Sequence, residues 1–137
     1  MNTTLNIVVL DDNADFACIL KELLNAWGYA AFDVPTPEAL FDTLKRNQID
    51  LVLLDLWLGR KYLSGHLVRN IQRFSQKKGQ DIKVIFISGE ESLSRYAEQY
   101  KVYGYMDKGD IRWKLFNVLE DLQQKKEKNN DKKNSTV

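Results

Sequence analysis

Short apolar runs rich in β-branched residues alternate with stretches of helical spacing from Leu5 to about Leu122, and this alternation constrains the fold more than any other feature. The apolar runs are LNIVVL (5–10), YAAFDV (29–34), DLVLLD (50–55), IKVIFIS (82–88) and VYGYM (102–106). Between the first two, Phe16, Ile19, Leu20, Leu23, Leu24 and Trp27 step by threes and fours along one helical face. Ala39, Leu40 and Leu44 mark a second helix, opened by Thr36 as cap and Pro37 at the first helical position. Leu67, Val68, Ile71 and Phe74 mark a third, and Leu93, Tyr96, Ala97 and Tyr100 a fourth. Ile111, Leu115, Leu119 and Leu122 mark a fifth, with Asp110 as its cap. Five strands alternating with five helices predict an α/β fold, a doubly wound five-stranded parallel sheet covered on both faces. Runs one, three and four are continuously apolar, as doubly buried central strands require, while YAAFDV is mixed and suits an edge. The expected strand order is 2-1-3-4-5, the flavodoxin-like arrangement.

At 137 residues the chain holds one domain with a sizeable core. Residues 1–122 form that domain. Residues 123–137 are polar and lysine-rich without apolar periodicity, and are expected to be a disordered tail or the end of the last helix. From Lys125 onward the tail carries five lysines against Glu127 and Asp131, and the body without that tail has 15 basic and 17 acidic residues. That balance gives no footprint for direct nucleic-acid binding. No apolar run is long enough to insert into a membrane, and no secretory signal pattern opens the chain, so a cytoplasmic location is expected. Cys18 is the single cysteine and His66 the single histidine, which excludes an internal disulfide and a structural zinc site. Any metal here is a hard cation on oxygen ligands.

In a doubly wound sheet the site lies at the carboxyl ends of the strands, where the winding reverses. With the expected order, that place lies between strands one and three. Strand one ends in Asp11 and Asp12, and strand three ends in Asp55. Three carboxylates packed together repel one another unless a cation sits among them, and Mg²⁺ suits such a set. Strand four ends in Ser88, a hydroxyl donor, and Lys108 follows strand five. A carboxylate nucleophile, a divalent cation, a hydroxyl and an ammonium are what phosphoryl transfer needs.

The runs IVVLDDN, VLLD, ISG and YMDK, each at a strand's carboxyl end and in this order, resemble the response-regulator receiver domain of two-component signalling. The resemblance covers about residues 5 to 122. It implies that Asp55 accepts a phosphoryl group from a histidine kinase or a histidine phosphotransfer protein. It implies Mg²⁺ held by Asp11, Asp12, Asp55 and the backbone carbonyl of Trp57, with Asp11 acting chiefly through water. Ser88 and Lys108 hold the phosphoryl oxygens, and Gly89 leaves room beside them. Ser88 and Tyr105 form the switch, by which the surface of helix four, strand five and helix five changes for a downstream protein target. Such a chain is no enzyme in the ordinary sense, but a phosphoacceptor that assists its own phosphorylation and dephosphorylation. It is a monomer or a phosphorylation-dependent dimer.

The sequence departs from that pattern at several places. Gly109 follows Lys108 where the family usually has proline, so no cis peptide is expected there. The loop LWLGRKYLSG (56–65) has Gly59 where proline is common and about two extra residues before Gly65. The stretch from Ser88 to Tyr105 is slightly short, which bears on helix four. Trp57 and Glu90 occupy positions that in the family tune the phosphate's lifetime, and bulky Trp57 is expected to hinder attacking water. Taken alone, Ser88 reads as an ordinary loop serine and Tyr105 as a core aromatic. His66 reads as a helix-terminus or surface residue. Cys18 reads as a packed small side chain, and Trp113 and Tyr96 as partly packed against the core.

Other classes fit less well. A haloacid-dehalogenase-like phosphohydrolase wants a second aspartate two residues beyond its nucleophile, and neither Asp11 nor Asp55 has one. A flavodoxin-like cofactor binder wants a glycine- and hydroxyl-rich phosphate loop, where DDNAD would repel a phosphate. A receiver-shaped scaffold that is never phosphorylated, or the receiver fragment of a longer regulator, remain as alternatives.

Overall fold

A computed structural model describes residues 3–58, 62–89 and 93–135. The elements run β1 (Asn6–Leu10), α1 (Ala14–Ala26), β2 (Ala30–Val34), α2 (Pro37–Arg46), β3 (Leu51–Asp55), β4 (Trp57–Leu58), β5 (Tyr62–Leu63), α3 (Gly65–Lys78), β6 (Lys83–Ser88), α4 (Leu93–Tyr100), β7 (Gly104–Asp107), a 3-10 turn (Lys108–Asp110) and α5 (Ile111–Ser135). Five strands form one parallel sheet in the order β2-β1-β3-β6-β7. Counting sheet strands alone, this is the 2-1-3-4-5 winding expected from the sequence.

The central strands have two buried faces because successive side chains point to opposite sides. Val8, Leu10, Val52, Leu54, Val84 and Phe86 face α2, α3 and α4. Ile7, Val9, Leu51, Leu53, Ile85 and Ile87 face α1 and α5, against Leu20, Leu24, Leu115 and Leu119. All five residues of β3 are buried. This buried central strand brings Asp55 to the carboxyl edge of the sheet.

Local signals set the helix ends. Thr36 Oγ1 accepts from the Ala39 N–H at 3.2 Å, with Pro37 in the first turn. Asn13 Oδ1 accepts from the Phe16 N–H at 3.1 Å and opens α1 directly at the end of β1. Gly79 closes α3 at φ +67°, a left-handed conformation costly for a residue with a Cβ. The cap before α5 falls earlier than the sequence suggested. Asp107 accepts from the Gly109 N–H at 2.7 Å and opens the 3-10 turn that leads into the helix, while Asp110 pairs with Lys114.

Several side chains lie elsewhere than their spacing implied. Ile19 is exposed, Cys18 is an exposed free thiol, and Trp113 is 79% exposed on α5. The inserted residues after Asp55 form a small antiparallel hairpin, Trp57 opposite Leu63 and Leu58 opposite Tyr62. Gly59 and Glu90 lie outside the described residues. Helix α5 continues as far as Ser135. Its Gln123 side chain accepts from the Leu5 N–H at 2.9 Å and donates to the Thr3 carbonyl at 2.6 Å. Lys126 Nζ reaches the Thr4 carbonyl at 2.8 Å and Asp50 Oδ2 at 2.9 Å. The helix is thus tied to the start of β1 beyond its last apolar residue. Among the described residues no helix is long and apolar enough to cross a membrane.

Candidate functional site

The strand order leaves a crevice between the carboxyl ends of β1 and β3, and the acidic residues fall there. Asp11, first after β1, is 1% exposed, and Asp55, last of β3, is 5% exposed. Asp12 is exposed at the rim. One carboxylate oxygen from each of the three lies within 4.8 Å of the others. Asp11 Oδ1 accepts from the Asn13 N–H at 2.9 Å, an Asx turn that bends the chain from strand into helix and fixes the carboxylate. Asp55 Oδ1 accepts from the Trp57 N–H at 3.3 Å in the same manner.

Lys108 joins the cluster from the far side of the sheet. Its Nζ lies 2.8 Å from Asp11 Oδ2 and 3.4 Å from Asp55 Oδ2. The first contact is an ion pair without directed hydrogen-bond geometry, so Asp11 Oδ2 is buried yet accepts no directed hydrogen bond among the described residues. Lys108 also stands over the ring of Phe16, 4.6 Å from its centroid.

Burial pushes the Asp55 carboxyl up to about 7, and the neighbouring Asp11 charge adds to this. Lys108 and the Trp57 N–H oppose the rise without cancelling it. For Lys108, burial alone would lower the ammonium's value, but contact with Asp11 and the charges of Asp55 and Asp11 outweigh it and raise it. One ammonium therefore does not fully neutralise the two buried carboxylates. Hard oxygen donors with spare lone pairs and an excess of negative charge suit a small divalent cation.

The remaining residues singled out from the sequence are placed as follows. Ser88 ends β6 and is buried, one residue beyond Ile87, which is in register with Asp55. Gly89 is exposed, and a Cβ added there would meet open space, so packing does not demand glycine. Tyr105 is in register with Phe86, but its side chain is 52% exposed and points away from the core. Trp57 contributes its N–H to Asp55, while its half-buried ring packs edge-on against Tyr96 of α4 at 6.2 Å. His66 is exposed near the start of α3. Sequence reasoning missed the part of Phe16, which it assigned wholly to the core. The available signal was its position in the first turn of a helix that starts at the crevice.

Comparison with known proteins agrees with this geometry. Residues 7–112 match the family model described as the response regulator receiver domain. The chain is 26% identical over 102 residues to the transcriptional regulatory protein RprY of Bacteroides fragilis, covering 74% of this chain and 41% of that protein. It thus spans about two-fifths of that relative's length. A response regulator receiver domain protein (CheY-like) from Methanospirillum hungatei superposes with a TM-score of 0.75 at 20% identity, over 92% of this chain and 98% of that one. The receiver domain of the Saccharomyces cerevisiae response regulator Ssk1, crystallised with the histidine phosphotransfer protein Ypd1, is represented in a match at TM-score 0.65 and 16% identity, over 77% and 79% of the two chains. With more than half its length matched by the family model and the acidic crevice in place, the chain belongs to the response regulator receiver domain family.

Proposed function

We propose that this chain is a phosphorylation switch in which Asp55 accepts a phosphoryl group and the altered surface is read by a protein partner. The observation that carries the reading is the setting of Asp55: a buried carboxylate at a strand end, beside two further aspartates and 3.4 Å from a lysine ammonium. Asp11, Asp12, Asp55 and the Trp57 carbonyl would hold Mg²⁺, which supplies charge neutralisation for the incoming phosphoryl group. Asp55 attacks phosphorus through a carboxylate oxygen, forming an acyl phosphate as the donor's bond to phosphorus breaks. Lys108 moves its ammonium from the carboxylates to the phosphoryl oxygens, and Ser88 donates its hydroxyl to another. Positioning and charge do the work, as phosphoryl transfer allows.

The donor class is a phosphohistidine on a kinase or phosphotransfer protein. Support comes from the family, and from the likeness to the Ssk1 receiver crystallised with Ypd1. Exposure of Tyr105 fits an unphosphorylated resting state, from which the ring turns inward when Ser88 engages the phosphoryl group. The test is intact mass after incubation with Mg²⁺ and acetyl phosphate, with Asp55→Asn alongside. A gain of one phosphoryl group, absent in the variant and without Mg²⁺, is expected. No gain with any donor, or an equal gain in the variant, refutes the assignment and favours a receiver-shaped scaffold.

A further inference from the structure

Lys108 must do two things that conflict. It neutralises Asp11 and Asp55 at rest, and it must leave them for phosphoryl oxygens during transfer. Its close contacts with two buried carboxylates, at 2.8 and 3.4 Å, would hold it back. Its side chain is also 28% exposed, so once released it has water to turn toward. A group is needed that attracts the ammonium without dictating its direction.

The Phe16 ring is placed to do this. At 4.6 Å from Nζ, it makes the closest approach of a cation to a ring among the described residues. The negative face of an aromatic ring attracts an ammonium within about 6 Å and imposes no hydrogen-bond geometry, so the cation can slide over it with little loss. The ring itself is fixed. The Phe16 N–H is held by the Asn13 cap at 3.1 Å, and the half-buried side chain packs against the core between the sheet and helices α1 and α5. An aliphatic side chain would fill the same space but give no such attraction.

Building on the phosphoacceptor reading, we propose that Phe16 is a positioning residue for phosphoryl transfer, its ring holding the Lys108 ammonium over the gap between Asp11 and Asp55. It touches no reacting atom and acts only through Lys108. Phe16→Leu keeps an apolar side chain but loses the cation-binding face, and Phe16→Trp restores that face.

The test combines two readouts on the full chain. In the first, proton NMR follows the Lys108 ε-methylene, assigned by its loss in Lys108→Ala. Ring current shifts this signal upfield in the parent, and the shift should vanish in Phe16→Leu and persist in Phe16→Trp. In the second, the rate of Asp55 phosphorylation by acetyl phosphate with saturating Mg²⁺ should fall roughly three- to tenfold in Phe16→Leu, the range expected from losing one partly exposed cation–ring contact. Phe16→Trp should recover most of the rate. In a Lys108→Ala background, Phe16→Leu should have no further effect, which a merely structural role would not produce. An unchanged rate in Phe16→Leu, equal loss in Phe16→Trp, or additive loss with Lys108→Ala overturns the proposal. If the parent takes up no phosphoryl group, the functional reading fails and the positioning role with it, and the NMR shift then reports the contact separately.

Discussion

Asp55 carries an unneutralised part of its charge inside the protein, and this has a measurable consequence for stability. Its carboxyl sits at about 7 in the fold against an ordinary value of 3.8, chiefly through burial and then through Asp11. An acid raised on folding favours the folded state while protonated. That advantage is full below about pH 3.8, declines across the window up to about 7, and is absent above it. Asp55→Asn removes the charge at nearly constant volume and should not follow this slope. Between about pH 5.5 and about pH 8 the parent should lose about 2 kcal/mol relative to the variant, from roughly 1.5 pH units of linkage at about 1.4 kcal/mol each. Comparing the two pH values cancels whatever the amide loses or gains against Lys108. The assay is urea unfolding followed by tryptophan fluorescence in the presence of EDTA, with both proteins at both pH values. Added Mg²⁺ should narrow the gap at the higher pH, because the cation binds the parent more tightly than a variant that keeps only Asp11 and Asp12 as acidic ligands. A difference that is equal at the two pH values, or larger at the lower one, would refute a buried, incompletely neutralised Asp55.

Lys108→Ala leaves Asp11 and Asp55 facing each other without their cation, and should cost about 2 kcal/mol in EDTA, with urea midpoints recovering as Mg²⁺ is added. Gly65→Ala places a Cβ 2.1 Å from Tyr100 Cζ and should destabilise by about 1–3 kcal/mol. In a Tyr100→Ala background that penalty should largely disappear, a coupling that a double-mutant cycle in urea reads directly. Trp57→Asn replaces the large side chain two residues beyond Asp55 and should shorten the lifetime of the phosphorylated form, followed by intact mass after the donor is removed. A chain ending at Leu122 loses the contacts of Gln123 and Lys126 with residues Thr3 to Leu5, and should unfold about 1–3 kcal/mol more easily.

The sheet and its winding were legible because the central strands are buried on both faces. A run such as LVLLD needs no correct choice of face, since every residue goes inward, so composition alone identifies it. The acidic site was legible for a related reason. Once strand ends and order are known, topology alone brings Asp11, Asp12 and Asp55 to one crevice, and the structure places them within 4.8 Å. The β4–β5 hairpin, Trp57-Leu58 paired with Tyr62-Leu63, was not read from the sequence. Two-residue strands are too brief for alternation to register, and they form here because the chain must return from the site to the start of α3.

The misplaced side chains share one physical cause. Helical spacing identifies an apolar stripe but leaves the helix free to rotate about its axis until packing decides. On α1 the sheet contacts Ala17, Leu20 and Leu24, and at about 100° per residue Cys18 lies roughly 200° round from Leu20, on the solvent side. Ile19 lies roughly 100° from Leu20 and falls outside the buried stripe. On α5 the buried stripe is Ile111, Leu115, Leu119 and Leu122, and Trp113 stands roughly 200° from Ile111. The same rotation puts Phe16 at the edge of the α1 stripe nearest the crevice, half in the core and half beneath Lys108. Its apolar periodicity was therefore real and incomplete: one ring serves packing on one side and an ammonium on the other, and only the rotation of α1 reveals the second.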